Sequence, residues 1–217
     1  MDRSKDIERN IIKKFRKTIW RRFVRGVDEY NLISEGDKIA ICISGGKDSM
    51  LMAKLFQELK RHSDFNFEVT YLVMNPGYNE INLQVIKNNL ELLNIPAVIK
   101  NTDIFEIANA QEKNPCYLCA KMRRGALYKL AKELGCNKIA LGHNKDDLLE
   151  TFCLNLLYTG NISTFAPVSF MDRSGITLIR PLIYTPEKDT KSFVKRNNIE
   201  VMPKCCPMDG HSKREDM

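Results

Sequence analysis

Two groups of residues in this 217-residue chain could do chemistry: the run Ser44-Gly45-Gly46-Lys47-Asp48-Ser49, and the cysteines Cys116, Cys119, Cys205 and Cys206. The first run follows an apolar stretch, residues 39–43, and enters a helix-like segment over 50–61. The apolar stretch reads as a buried strand. Two consecutive glycines let the backbone turn tightly and expose its N–H groups, and the next helix aims its N-terminus at the turn. That is an anion site, with phosphate its usual occupant. Ser44 and Ser49 add hydroxyl donors, Lys47 adds charge and Asp48 can hold magnesium. A Walker loop is excluded, because it requires glycine at position 41, which is Ile41. No Gly-x-Gly-x-x-Gly is present either.

Cys116-Tyr117-Leu118-Cys119 sets two thiols on one turn at the start of a helix, with Pro115 fixing the entry and Arg123 and Arg124 a turn further on. Helix N-termini favour the thiolate that metals bind. Cys205 and Cys206 offer the next ligand. Zinc in a closed site takes four ligands, and the four cysteines match by count. Neighbouring side chains of an extended backbone diverge, however. Three cysteines on a [4Fe-4S] cluster leave one iron open to hold an exogenous sulfur. The spacing favours the cluster, with zinc the alternative. Cys42, Cys136 and Cys153 lie in apolar patterns and read as small core residues.

The elements that must position these groups alternate. Residues 67–74 read as a strand ending at Asn75-Pro76-Gly77, 79–93 as a helix, and 96–100 as a short strand. Residues 120–134 read as a helix with Leu127, Leu130 and Leu134 on one face, 138–141 as a strand and 146–158 as a helix. Such alternation predicts an α/β fold, a doubly wound parallel sheet with helices on both faces. Ligands in such sheets bind beyond the strand C-termini. The Ser-Gly-Gly loop, Asn75 and Gly142-His143 should therefore converge. Thr185 as N-cap and Pro186 as first helical residue open a last helix running to about Asn198, followed by a strand-like 199–202. The final Lys213-Arg214-Glu215-Asp216-Met217 reads like a helix just begun, so a longer natural chain is expected.

The net charge of +7 is concentrated: residues 1–26 hold ten Lys or Arg against three acids. Ile7, Ile11, Ile12, Phe15, Ile19, Trp20, Phe23, Val24 and Val27 recur at helical spacing, predicting an amphipathic N-terminal helix with one apolar and one basic face. The basic face is either a solvated surface or a contact for a polyanion. The sequence divides into this helix, residues 1–30, and an α/β domain, 31–217. No signal peptide and no membrane-spanning run is visible. A cytoplasmic protein is expected, its cysteines serving metal chemistry rather than disulfides.

Ser-Gly-Gly-Lys-Asp-Ser resembles the pyrophosphate loop of the PP-loop ATP pyrophosphatases, of the adenine-nucleotide alpha-hydrolase fold. With the Cys-x-x-Cys before Arg123-Arg124-Gly125 and the run from Gly142 to Thr151, it is similar to the tRNA 2-thiocytidine synthetase family, kin of the 2-thiouridine and lysidine synthetases. Leu154 to Gly160 and Ile179-Arg180-Pro181-Leu182 continue the match. The resemblance implies ATP, Mg²⁺ and a [4Fe-4S] cluster on Cys116, Cys119 and Cys206. It also implies nucleotide contacts from Ser44, Gly45, Gly46, Lys47, Asp48, Ser49, Gly142 and Asp147, and catalytic roles for Asp48, Arg123 and Asp147. The implied reaction adenylates a base carbonyl oxygen and then replaces it with sulfur. The implied partners are tRNA, met at its anticodon region, and a sulfur donor, either sulfide or a cysteine desulfurase system. A homodimer is left open. Position 75 departs from the family, which leads one to expect an acid there. An iron–sulfur desulfidase working without ATP, or an RNA-binding protein with structural zinc, are the competing readings.

Overall fold

The computed structural model describes residues 3–111 and 113–202. The apolar, β-branched runs form strands β1 (Lys38–Ile43), β2 (Glu68–Asn75), β3 (Ala97–Asn101) and β4 (Lys138–Ala140). Two more strands, β5 (Val168–Met171) and β6 (Ile176–Ile179), follow. The six form one sheet in the order β3-β2-β1-β4-β6-β5. β1 pairs in parallel with β2 and β4, β2 with β3, and β4 with β6. The chain builds outward from β1 to β3, then returns to β1's other side with β4. This reversal leaves a crevice between the C-terminal ends of β1 and β4, where open α/β sheets bind ligands. β1 is buried almost throughout, as a central parallel strand must be.

The helices are α3 (Lys47–His62), α4 (Glu80–Leu92), α5 (Ile104–Asn109), α6 (Pro115–Glu133), α7 (Lys145–Thr159) and α8 (Glu187–Arg196), preceded by an N-terminal helical segment containing α1 and α2. α6 begins at Pro115, five residues ahead of the expected start, so both of its cysteines lie within the helix. On its expected apolar face Leu130 is buried, while Leu134 is 40% exposed. The short α5 has no counterpart among the expected elements.

Three expectations about the scaffold need correction. The sheet is not wholly parallel: β5 pairs antiparallel with β6 as an edge hairpin, whose turn ends at Gly175 with φ of 65°. Residues 199–202 form no strand. Thr185 does not cap α8; Pro186 occupies the cap and Glu187 is the first helical residue.

The N-terminal segment also differs from a uniform α-helix. α1 (Arg3–Arg9) and α2 (Arg21–Glu29) are joined through two wider π-type stretches, Asn10–Lys14 and Arg16–Trp20. The sequence explains this. Ile7, Ile11, Phe15, Ile19, Phe23 and Val27 are spaced at four residues, and all are buried. In an α-helix each four-residue step overshoots a full turn by about 40°. Five such steps would carry the stripe to the opposite side. Wider turns absorb the overshoot and keep it on one face. That face joins the core shared by α3 and the sheet. Phe23 meets Phe56 and Phe15 meets Phe193 edge-on, both at 5.6 Å.

Under this segment lies Lys54, fully buried on α3. Its ammonium donates to Ser4 Oγ (2.8 Å), Glu8 Oε1 (2.7 Å), Gln57 Oε1 (2.8 Å) and the Leu93 carbonyl (2.9 Å). Among the described residues, no helix is long and apolar enough to cross a membrane.

Candidate active site

The loop from β1 to α3 is shaped by its glycines. Gly45 has φ of 84°, and a Cβ there would lie 2.9 Å from Ile86 Cγ1, so only glycine fits. Gly46 caps α3 with extended backbone and no side-chain cap. The first-turn N–H groups of α3 thus lack the side-chain acceptor that usually closes a helix start. α7 shows the opposite arrangement. Asn144 Oδ1 accepts the Asp146 and Asp147 N–H groups at 2.8 and 3.1 Å. Asp147 Oδ2 accepts the Asn144 N–H at 2.8 Å, completing a capping box. One helix start is closed by its own side chains; its neighbour is open to an anion.

Ser49 is buried and holds the loop together. Its hydroxyl donates to the Gly46 carbonyl at 2.8 Å and accepts the Ser44 N–H at 3.1 Å. Lys47 Nζ lies 3.0 Å from Asp48 Oδ2. Asp48 Oδ1 accepts from Asn144 Nδ2 at 3.2 Å, joining the two helix starts. A Cβ on Gly142 would meet the Ser49 nitrogen at 3.2 Å, so this glycine lets the loop after β4 lie against α3.

Beside these groups opens a cavity of about 320 Å³, which Gly45, Lys47 and Asn144 do not line. Ser44, Gly46, Asp48 and Ser49 line one side, Gly142 and His143 another, and Arg123 reaches in from α6. Leu72, Met74 and Leu127 add apolar wall, so the floor could take a flat base while the loop takes phosphates. Of the three cysteines read as core residues, Cys136 is buried, Cys42 is partly buried at the cavity with its thiol pushed up by burial, and Cys153 is exposed on α7, against that reading.

Cys116 is exposed and Cys119 partly buried. Both border a second cavity of about 190 Å³, with Phe105, Pro115, Ala120 and Arg123. Arg123 therefore borders both cavities. Among the described residues no group of three or more His, Cys, Asp or Glu could hold a metal. Cys205, Cys206 and Pro207 lie outside the described residues. Among the described residues the donors in place are two soft thiols, and no carboxylate lines their cavity, a set that fits an iron–sulfur cluster or zinc and not a hard cation.

Asp48 is the second residue of α3, with its side chain 17% exposed. Asp147 does not line the cavity, and one of its oxygens is spent on the cap. Asn75, the last residue of β2, is buried: its Oδ1 accepts the Gly77 and Tyr78 N–H groups, and its Nδ2 donates to Asn101 Oδ1. Met74, one residue earlier, is the one that faces the cavity. The linking role of Asn144 was missed, although Asn-x-x-Asp is a capping-box spacing. Glu187, which meets Lys47 from α8, left no local signal.

A PP-loop domain family model matches residues 7–203. The tRNA-cytidine(32) 2-sulfurtransferase of Citrifermentans bemidjiense is 36% identical over 192 residues, spanning 87% of this chain and 75% of that protein. Its counterpart in Geotalea uraniireducens is 35% identical over 197 residues, spanning 89% and 78%. Among solved structures, the U34-tRNA thiolase NcsA of Methanococcus maripaludis, with its [4Fe-4S] cluster, superposes with a TM-score of 0.72 at 25% identity. That match covers 91% of this chain and 68% of that one. A phosphoadenylyl-sulfate reductase from Candida auris, at 11% identity and a TM-score of 0.55 over 96% and 95% of the two chains, shares the fold.

Proposed function

We propose an ATP-dependent tRNA thiolation for this chain from one premise: it belongs to the PP-loop family and, within it, to the tRNA-cytidine(32) 2-sulfurtransferases. The target is the 2-carbonyl of a cytidine. Oxide is too poor a leaving group for sulfur to displace directly, so the oxygen is first adenylated. In this reading the open N-terminus of α3, the amides of Gly45 and Gly46 and the Ser44 hydroxyl receive the phosphates of ATP. Lys47 adds charge, and Asp48 is the residue to hold Mg²⁺. Gly142 gives the nucleotide close approach. Ser49 keeps the loop in shape, and Asp147 acts through the Asn144 cap. The carbonyl oxygen attacks the alpha phosphorus and pyrophosphate departs; the loop contributes alignment and charge neutralisation. Arg123 stabilises negative charge as AMP later leaves the carbon that sulfur has attacked.

A [4Fe-4S] cluster on Cys116, Cys119 and Cys206 would supply a place to hold the incoming sulfur at an open iron. The observation that carries this reading is that Arg123 borders both the loop cavity and the cysteine cavity, so one side chain can serve adenylation and sulfur transfer. We take residues 1–30, with their exposed cations, as the tRNA-binding part and 31–217 as the catalytic part. The anticodon region as the site modified, sulfide or a cysteine desulfurase system as donor, a cytoplasmic setting and a homodimer belong to the same proposal.

The test is anaerobic purification with iron, sulfide and zinc analysis, followed by tRNA thiolation with and without ATP. Iron with sulfide and ATP-dependent thiolation are expected. Cys116→Ala, Cys119→Ala and Cys206→Ala should lose the brown absorption and thiolation while keeping ATP binding; Cys205→Ala should keep all three. Zinc without iron would favour the RNA-binding alternative, and turnover without ATP the desulfidase.

A further inference from the structure

Lys47 is not presented bare to the loop. Besides Asp48, its ammonium lies 2.8 Å from Oε1 of Glu187, the first residue of α8. Glu187 is itself fixed from two more sides. Its backbone N–H donates to Asp146 Oδ2 at 2.7 Å, fastening α8 to the start of α7. Its other oxygen, Oε2, accepts from Lys191 Nζ at 2.6 Å. Burial works against the charge on Lys47, yet Glu187 and Asp48 more than offset it and hold the ammonium above its ordinary range. Burial likewise works against the Glu187 carboxylate, and Lys191 and Lys47 hold it below its usual range.

A loop suited to phosphate thus has its lysine already neutralised by two carboxylates. Asp48 has a second claim on its charge if it holds magnesium. Glu187 does not line the cavity, and its other claimant is Lys191 on its own helix.

We propose that Glu187 is a positioning residue that holds Lys47 at the loop until a phosphate oxygen replaces it, and takes Lys47 back as pyrophosphate leaves. This is an exchange of ion pairs, with no bond made or broken. It rests on the reading of the loop as a pyrophosphate site. Phosphate must compete with Glu187 for Lys47, so the carboxylate weakens pyrophosphate binding and favours release. Lys191 shares Glu187 and therefore softens its hold on Lys47.

The test uses inorganic pyrophosphate as probe, titrated calorimetrically into the full chain, with steady-state ATP kinetics in parallel. Glu187→Gln keeps the side-chain size and the backbone bond to Asp146. It should tighten pyrophosphate binding about 1.5- to fivefold, the range for a partly exposed ion pair, and lower KM for ATP without raising kcat. Lys191→Gln should shift pyrophosphate binding the opposite way, because Glu187 then answers to Lys47 alone. This opposed pair of shifts separates positioning from general damage, and Lys191→Gln tests the idea even if Glu187→Gln folds poorly. Weaker or unchanged pyrophosphate binding in Glu187→Gln overturns the inference, as does tighter binding in Lys191→Gln. If the unsubstituted chain binds neither ATP nor pyrophosphate, the functional reading itself fails.

Discussion

Replacing Asp48 separates chemistry from scaffolding. The Asp48 side chain is mostly buried, accepts one bond from Asn144 at 3.2 Å and pairs with Lys47 at 3.0 Å. It also sits in the first turn of α3. A carboxylate at a helix start is worth about 0.3–1 kcal/mol, a partly exposed ion pair about 0–1, and one long hydrogen bond on the order of 1. Since Lys47 keeps Glu187, the lower ends apply, and Asp48→Ala should cost about 1–2 kcal/mol. For a chain of this size that lowers Tm by roughly 2–8 °C. Asp48→Asn keeps the shape and an acceptor for Asn144, so its Tm should fall by less. If Asp48 holds magnesium, both variants should lose about 10²–10³-fold in tRNA-dependent pyrophosphate release, equal to about 3–4 kcal/mol of transition-state stabilisation. The assay is pyrophosphate release under saturating Mg-ATP, beside a melting curve. Release by Asp48→Asn within about threefold of the unsubstituted protein would refute the adenylation role.

Lys54→Met should destabilise the fold by about 1–3 kcal/mol in urea, because buried acceptors on Ser4, Gln57 and Leu93 lose their shared donor while Glu8 keeps Arg61 at 2.6 Å; a midpoint unchanged within error would contradict this. Reversing Arg16, Lys17 and Arg21, all exposed, to Glu should weaken tRNA binding and flatten its salt dependence by about one unit for each phosphate no longer neutralised; unchanged affinity and slope would leave the basic face a solvated surface. Burial works against the Asp37 carboxylate, but Lys138 at 2.6 Å, Asn137 and the Ser34 N–H more than offset it and hold its pKa below the usual range. The stability it adds is present above the unfolded value of about 3.9 and is lost as pH falls through the folded one. Asp37→Asn should flatten the fall in stability between about pH 5 and pH 2 in denaturant melts, and an identical slope would count against this.

What the sequence disclosed is what local spacing can encode. The strand-loop-helix around Gly45 was legible because an apolar run, two glycines and a helix start occupy adjacent positions, and the Cys116–Cys119 pair because one helical turn fixes both thiols. The β5–β6 hairpin was not, since strands of four residues are too short for alternation to stand out. The four-residue spacing from Ile7 to Val27 is visible in the sequence, but it passes for ordinary helical periodicity when it encodes widened turns. Asp147 carried two compatible meanings, ligand and cap, and only coordinates decide between them. Glu187 and Asp146 meet the site through tertiary packing, which no motif records.

Besides α3, the N-terminal segment packs against α8, near the other end of the described chain. Phe15 meets Phe193, Arg22 pairs with Asp189 at 2.7 Å, and Asn10 bonds Asn197. Residues that leave the ribosome first must therefore wait for nearly the last described ones before their apolar stripe is fully covered. Closing so long a loop is slow. Until α8 emerges, the nascent chain carries an exposed greasy, basic helix, a natural client for chaperones. The helix that closes this clasp also brings Glu187 to Lys47. Covering of the N-terminal stripe and pairing of the loop lysine thus depend on one and the same helix, and a truncation before α8 would forfeit both.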